Sequence, residues 1–339
     1  MKGFILTLAT ALAATTVTMA QQAAFDRLPA DQLDVVPPSA RVAGVLGSLA
    51  IRERSCRSLP IDQVRRRIVD AAVQEWGFFG FTVVDQTRVD ERPAPRGRRR
   101  RPRLSTAESM RVAESIAGYW AVTPEGGWII ENQNRRWNGP GGGGARWRDP
   151  WSAAFVSWVM CEGGLGEATQ FRRAVAHHTY IDQAIRARDD APTEAAFAAY
   201  DIGETVIVPG DLLCSGRRPA YRSLAERRRQ MGEGARTHCD VVVKLDVAGG
   251  RILAIGGNVR GTVSLKLLPA ASAPDVGLRP EGGTRRLFAH LKLRAGPTAL
   301  DALDSSPTMR ALGCRESLRA PVQLAASNLL SVGAVRGPC

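Results

Sequence analysis

Histidine is scarce in this sequence, with four in 339 residues, so any reaction that needs an imidazole base has few places to occur. Long apolar runs are scarcer. After residues 4–20 no stretch is long and apolar enough to cross a bilayer, which excludes a protein with several membrane spans. No lipobox cysteine follows that first run, so a lipid anchor of that kind is not expected. The glycines of NGPGGGGARWRD, residues 138–149, are not followed by Lys-Ser or Lys-Thr, and the run is therefore not a phosphate-binding loop.

What is present begins with MKGFILTLATALAATTVTMAQQ: one lysine, an apolar stretch, then Thr18-Met19-Ala20, which suits the small-x-small cleavage rule. Residues 1–20 are expected to be a signal peptide and the mature chain periplasmic or secreted, with no transmembrane segment left after cleavage. The alternative is a membrane anchor, for which Phe4 to Ala20 is short. In an exported chain the six cysteines (Cys56, Cys161, Cys214, Cys239, Cys314 and Cys339) are expected to include disulfides. A net charge of +13, carried mainly by arginine, predicts attraction to anionic envelope polymers. Nucleic acid is not expected as a partner, and a high-GC genome would enrich arginine without any binding role. The 44% hydrophobic content is ordinary for a globular chain.

Residues 21–50 are rich in Ala, Pro and small side chains and read as a linker with one short helix. From Pro60 the apolar residues Ile61, Val64, Ile68, Ala71, Ala72 and Trp76 recur at helical steps, and the helix should stop at Gly77. RPAPRGRRRRPR, residues 92–103, has nothing to bury and reads as an exposed, Arg-rich insertion. Ser105 with Glu108 has the form of a capping box that opens a second helix through Trp120. AVAHHTYIDQAIRARDD is helical. VIVPGDLLCSG, HCDVVVKLDV, RILAIGGN and TVSLKLLP are strand-like and should pair as an antiparallel meander. Helices followed by strands give the α+β class. A domain over 51–300 and a C-terminal tail over 301–339 complete the organisation. Cys214 ends one strand and Cys239 begins the next, so an antiparallel hairpin would bring them opposite each other, and a Cys214–Cys239 disulfide is expected.

The chemistry concentrates in DPWSAAFVSWVMCEGG, residues 149–164. Asp149 is suited to cap a helix and Pro150 to its first position, which puts Ser152 in the first turn, where unpaired N–H groups and the helix dipole stabilise an anion. Trp151-Ser152-Ala153-Ala154-Phe155-Val156, Pro209-Gly210-Asp211-Leu212, His238 and Gly256-Gly257-Asn258, in that order, resemble papain-like peptidoglycan amidohydrolases of the CHAP and NlpC type. The chain is also similar to the bacterial family called domain of unknown function 2272, through Glu75-Trp76, Tyr119-Trp120, PWSAAFVSWVM, His177 with the following Tyr180-Ile181, GDLLC, HCDVVV and GGNV.

The resemblance implies a papain-like fold, with Ser152 at the nucleophile position, His238 as general base and Asn258 orienting the imidazole. It departs from the papain-like pattern in having Ser where Cys is expected, and a hydroxyl is far harder to deprotonate than a thiol. Trp151, His177, Asp211 and Asp240 are the cleft-lining candidates. No metal and no cofactor is expected. Each residue also has a structural reading: Ser152 as a first-turn serine, His238 as a strand-start histidine, Asn258 as a turn residue able to take positive φ, and His177 and His178 as core histidines. His290 reads as a strand residue. The basic segment 217–236 reads as a solvated insertion or as a lid. Two functions follow as expectations. One is an exported hydrolase of amide or ester bonds in peptidoglycan; the other is a catalytically inactive cleft that binds stem peptides or anionic envelope polymers.

Overall fold

The computed structural model describes residues 24–87, 104–190, 194–282 and 286–319. The expected signal peptide, the Arg-rich insertion 92–103 and the end of the tail lie outside the described residues. In chain order the elements are β1 (Val42–Ala43), β2 (Ala50–Ile51), α1 (Ile61–Phe78), β3 (Val83–Asp85), α2 (Thr106–Arg111), α3 (Ala113–Ala121), α4 (Gly126–Trp137), α5 (Ser152–Glu162) and α6 (His177–Asp189). They continue with β4 (Phe197–Tyr200), β5 (Leu212–Arg218), α7 (Leu224–Arg228), β6 (Arg236–Asp246), β7 (Arg251–Val259), β8 (Thr262–Ala273), β9 (Gly277–Pro280), β10 (Leu287–Leu293) and α8 (Pro307–Arg319).

The class is mixed α+β. The main sheet runs β3-β8-β7-β6-β5-β10-β4, with β9 added on β8. The four strand-like segments read from the sequence are β5 to β8, and they do form a continuous antiparallel meander. The whole sheet is not antiparallel, because β3 joins β8 in parallel. Strand alternation sends Cys239, Val241 and Val243 of β6 to the face covered by α1, α5 and α6, and Val242 to a smaller second core. A register shift between Val242 and Lys244 reverses that alternation, so that Leu245 joins the second core.

Helix α1 carries the expected stripe, except that Ile61 at its first position stays exposed. It runs through Gly77 to Phe78, and the left-handed residue that follows is Gly80, at φ 83°. Gly77 is small for a different reason: a Cβ there would come within 3.2 Å of both Phe81 and Thr308. Ser105 accepts the amide of Glu108 as a cap should, but the helix it opens breaks at Val112 into α2 and α3.

The expected linker is not a linker from residue 24 onward. Phe25, Leu28, Leu33, Val35, Val42 and Leu49 are buried in the main core, and Arg27 is held by the buried Glu75. Its spaced apolar residues lack a regular period because the segment packs as extended chain. Segment 217–236 is largely exposed, as a solvated insertion would be, but it is anchored at three points. Tyr221, Leu224 and Arg227 are buried, and the Arg227 guanidinium makes a bidentate pair with Asp182 of α6 at 2.7 and 2.6 Å.

Cys214 and Cys239 are paired residues on β5 and β6 and form a disulfide. A second disulfide joins Cys56 to Cys161, tying the segment before α1 to the end of α5.

Candidate functional site

Helix α5 starts at Ser152, with Trp151 at the cap position and no side-chain cap bond, so Asp149 and Pro150 precede the helix rather than cap it. Every residue of α5 is buried, which makes it the central helix of the fold. Trp151 stacks on Tyr119 and packs against Phe79, and this fixes the turn that presents Ser152. Ser152 itself is 9% exposed.

Its partner is His177, the first residue of α6. Ser152 Oγ lies 2.7 Å from His177 Nε2. On the other side of the ring, Nδ1 receives the backbone N–H of Cys239 at 3.2 Å, and the Tyr180 hydroxyl lies against the same nitrogen. A backbone amide has only a proton to offer, so Nδ1 must carry the lone pair. Burial, with His238 the next cause, holds the His177 imidazole well below the usual histidine range, and Lys266 and His178 push the same way against Asp240. The ring is therefore neutral at pH 7 with its proton on Nε2, and Nε2–H donates to Ser152 Oγ. His177 cannot take the Ser152 proton in this state; it can stabilise negative charge on that oxygen.

His238 stands next to this pair, its ring 5.2 Å from that of His177. His238 Nε2 meets Asp240 Oδ1 at 2.9 Å, and the other carboxylate oxygen receives Lys266 Nζ at 2.7 Å. Burial works against ionisation of Asp240, but Lys266 and His238 outweigh it and hold the carboxyl well below the usual carboxylate range. An ionised Asp240 fixes the His238 proton on Nε2. In the neutral ring this leaves Nδ1 as the basic nitrogen, the tautomer a general base requires.

The structure thus brings together Ser152, His177, His238 and Asp240. The residue that orients the His238 ring is Asp240, not Asn258. Asn258, next to the last residue of β7, has φ 55°, and it lines a cavity of about 320 Å³ with Trp147, Trp151 and Arg260 as well as the cavity that reaches His238. The two glycines before it are explained by packing. A Cβ on Gly256 would stand 1.9 Å from Asp240 Oδ1, and one on Gly257 would stand 2.5 Å from Phe155 of α5.

Asp211 is not in the cleft. It is fully buried, bonded to Arg65 Nη1 and His290 Nε2 at 2.8 Å each and to the amides of Val208 and Leu293. Gly210 before it sits at φ 93°, where a Cβ would strike Arg65 at 2.7 Å. The Pro-Gly-Asp stretch is thus a structural lock between α1, β5 and β10, and His290 belongs to that lock.

Tyr180 and Lys266 were not anticipated. Tyr180 lies three residues after His177, one helical turn away, and its hydroxyl keeps its proton because burial raises its pKa well above the usual value. Asp240 lies two residues after His238, hence on the same strand face. Among the described residues no cluster of His, Cys, Asp or Glu is arranged to hold a metal ion, and no helix is long and apolar enough to cross a membrane.

The model of a family described as an uncharacterized protein conserved in bacteria, DUF2272, matches residues 108–286, more than half of the chain. The chain belongs to that family. No curated protein and no solved structure matches it.

Proposed function

We propose that this DUF2272 member is an exported protein of the cell envelope with a papain-like cleft, and that it hydrolyses an amide bond in peptidoglycan stem peptides through Ser152. The observation that carries the reading is the Asp240-held His238, in the tautomer of a base, one ring away from the His177 that donates to Ser152 Oγ. In the proposed reaction Ser152 Oγ, whose side-chain hydrogen bond is to His177, passes its proton to His238 Nδ1 through one water as Oγ attacks the carbonyl carbon. His177 Nε2–H lowers the cost of charge developing on Oγ. The first-turn N–H groups of α5 add a positive potential at the same place. The leaving amine is protonated by the imidazolium, and water then releases the acyl group by the reverse proton path.

The papain-like reading is supported by the order of parts: a buried helix opening on the nucleophile position, then a meander whose second strand carries the histidine near its start. The two disulfides among the described residues fit an oxidising compartment. One observation favours a non-catalytic cleft instead, namely that Ser152 is nearly buried and already accepts a hydrogen bond.

Purified protein incubated with peptidoglycan, with the products read by mass spectrometry, separates the two. Hydrolysis predicts new fragments that disappear in Ser152→Ala and His238→Ala. No fragments from the wild type, and none gained by Ser152→Cys, would sink the hydrolase. Salt-sensitive cosedimentation with cell wall that is unaffected by His238→Ala would favour the binding module.

A further inference from the structure

Most arginines near the core are answered by a carboxylate: Arg41 by Glu162, Arg65 by Asp211 and Arg227 by Asp182. Two at the cleft are not. Arg217, near the end of β5, and Arg260, at the tip of the β7–β8 hairpin, have no anionic partner among the described residues. Both line a cavity of about 420 Å³ whose wall includes His238, Asp240 and Lys266. The charge of Lys266 is taken up by Asp240, so the two guanidiniums are the uncompensated charge of this cavity among the described residues.

The backbone at the hairpin tip supports a purpose for Arg260. Asn258 at φ 55° and Arg260 at φ 57° are both left-handed, a conformation that costs an arginine more than an asparagine or glycine. The tip is held in that shape by Thr262 Oγ1 and Ser264 Oγ, which donate to the Val259 carbonyl at 3.2 and 3.3 Å. Asn258 and Arg260 also line the aromatic cavity that contains Trp151. The two cavities therefore share Asn258 and Arg260 on their rim, the first reaching Trp151 and the second His238.

We propose that Arg217 and Arg260 form a carboxylate-binding subsite of this cleft, selecting peptides with a free carboxylate; that such peptides are substrates rather than ligands rests on the hydrolase reading above. The planar guanidinium fork matches a carboxylate in bidentate fashion. Inorganic phosphate fits the same fork and is therefore the competitor to test.

The test is calorimetric titration of the Ser152→Ala protein with N-acetyl-D-alanyl-D-alanine and with its C-terminal carboxamide. The acid should bind about tenfold more tightly than the amide, and the gap should shrink as salt is added. Arg217→Gln with Arg260→Gln should abolish the gap at an unchanged melting temperature, whereas Arg135→Gln, on the exposed face of α4, should leave it intact. Equal binding of acid and amide overturns the subsite. So does discrimination that survives the double variant, displacement of the acid by lower concentrations of inorganic phosphate, or no binding of the acid at millimolar concentration. Discrimination without any cleavage of peptidoglycan by the wild type would keep the subsite and sink the hydrolase. Cleavage without discrimination would do the reverse.

Discussion

Replacing Asp240 by Asn tests the centre of the site most directly. The carboxylate is buried and answers two donors, His238 Nε2 at 2.9 Å and Lys266 Nζ at 2.7 Å. An amide has one acceptor oxygen and offers the second donor an NH₂ group instead, so one partner loses its bond. If Lys266 loses it, an ammonium 12% exposed is left without a counter-charge. Breaking a buried pair in this way costs about 3–5 kcal/mol, and the lower end applies because water reaches part of Lys266. About 3 kcal/mol corresponds to a fall of roughly 4 °C in melting temperature for a chain of this size.

The pH dependence has a defined sign. The folded pKa of Asp240 is depressed below its unfolded value. Its contribution is fully present above the unfolded carboxylate pKa of about 3.9 and is lost as pH falls from there toward the folded value. Chemical denaturation of wild type and Asp240→Asn should therefore show a constant gap between pH 5 and 8 that closes below about pH 4. Asn258→Ala, which touches neither donor, should stay within about 1 kcal/mol of wild type. A gap for Asp240→Asn under about 1 kcal/mol at pH 7, or one that persists on acidification, would refute the assignment of Asp240 as the residue that holds His238.

For His177, nitrogen NMR should find the Nε2–H tautomer at pH 7 and no protonation near the ordinary pKa of about 6.5. Its depressed folded pKa means that stability is present above that value and is lost as pH falls below it. A ring that titrates normally would remove the donor role. Gly256→Ala should displace Asp240 from His238 and cost about 1–3 kcal/mol in denaturant titrations; a neutral effect would mean that the pair has room to spare. Loop entropy predicts a larger loss on removing Cys56–Cys161, which spans 105 residues, than Cys214–Cys239, which spans 25. The figures are about 4.8 and 3.5 kcal/mol. Double serine variants that reverse this order, as measured by denaturation, would show that native-state packing and not loop length dominates.

Periodicity made the meander, α1 and α6 legible, because each buries one face against the same core. Spacing also made the Cys214–Cys239 pairing legible, since two strand ends in an antiparallel hairpin have one register. Helix α4 was not legible: its GGWIIENQNRRW begins with two glycines, and its burial rests on Ile129, Ile130, Gln133 and Trp137 alone. Residues 24–50 escaped because extended chain packed on a core has no period to read. At the site, the resemblance pointed to Ser152 and His238. Distances between elements decided the rest. Nothing in the order of residues says that the first residue of α6 meets the first residue of α5.

That meeting bears on the serine itself. Two helix N-termini converge at Ser152 Oγ, and one of them delivers the proton of His177 Nε2 to it. A thiolate is already stable at neutral pH and would gain reactivity only by losing such donors, since each bond to sulfur lowers its nucleophilicity with its pKa. An alkoxide is in the opposite position. Its formation is the barrier, and a donor held in place before the reaction reduces that barrier without reorganisation. The same hydrogen bond that would dampen a cysteine therefore favours a serine, provided that His238 and not His177 receives the proton. The presence of Ser152 at the opening of α5 is thus consistent with a site whose second histidine has been committed, by the Cys239 amide, to donating.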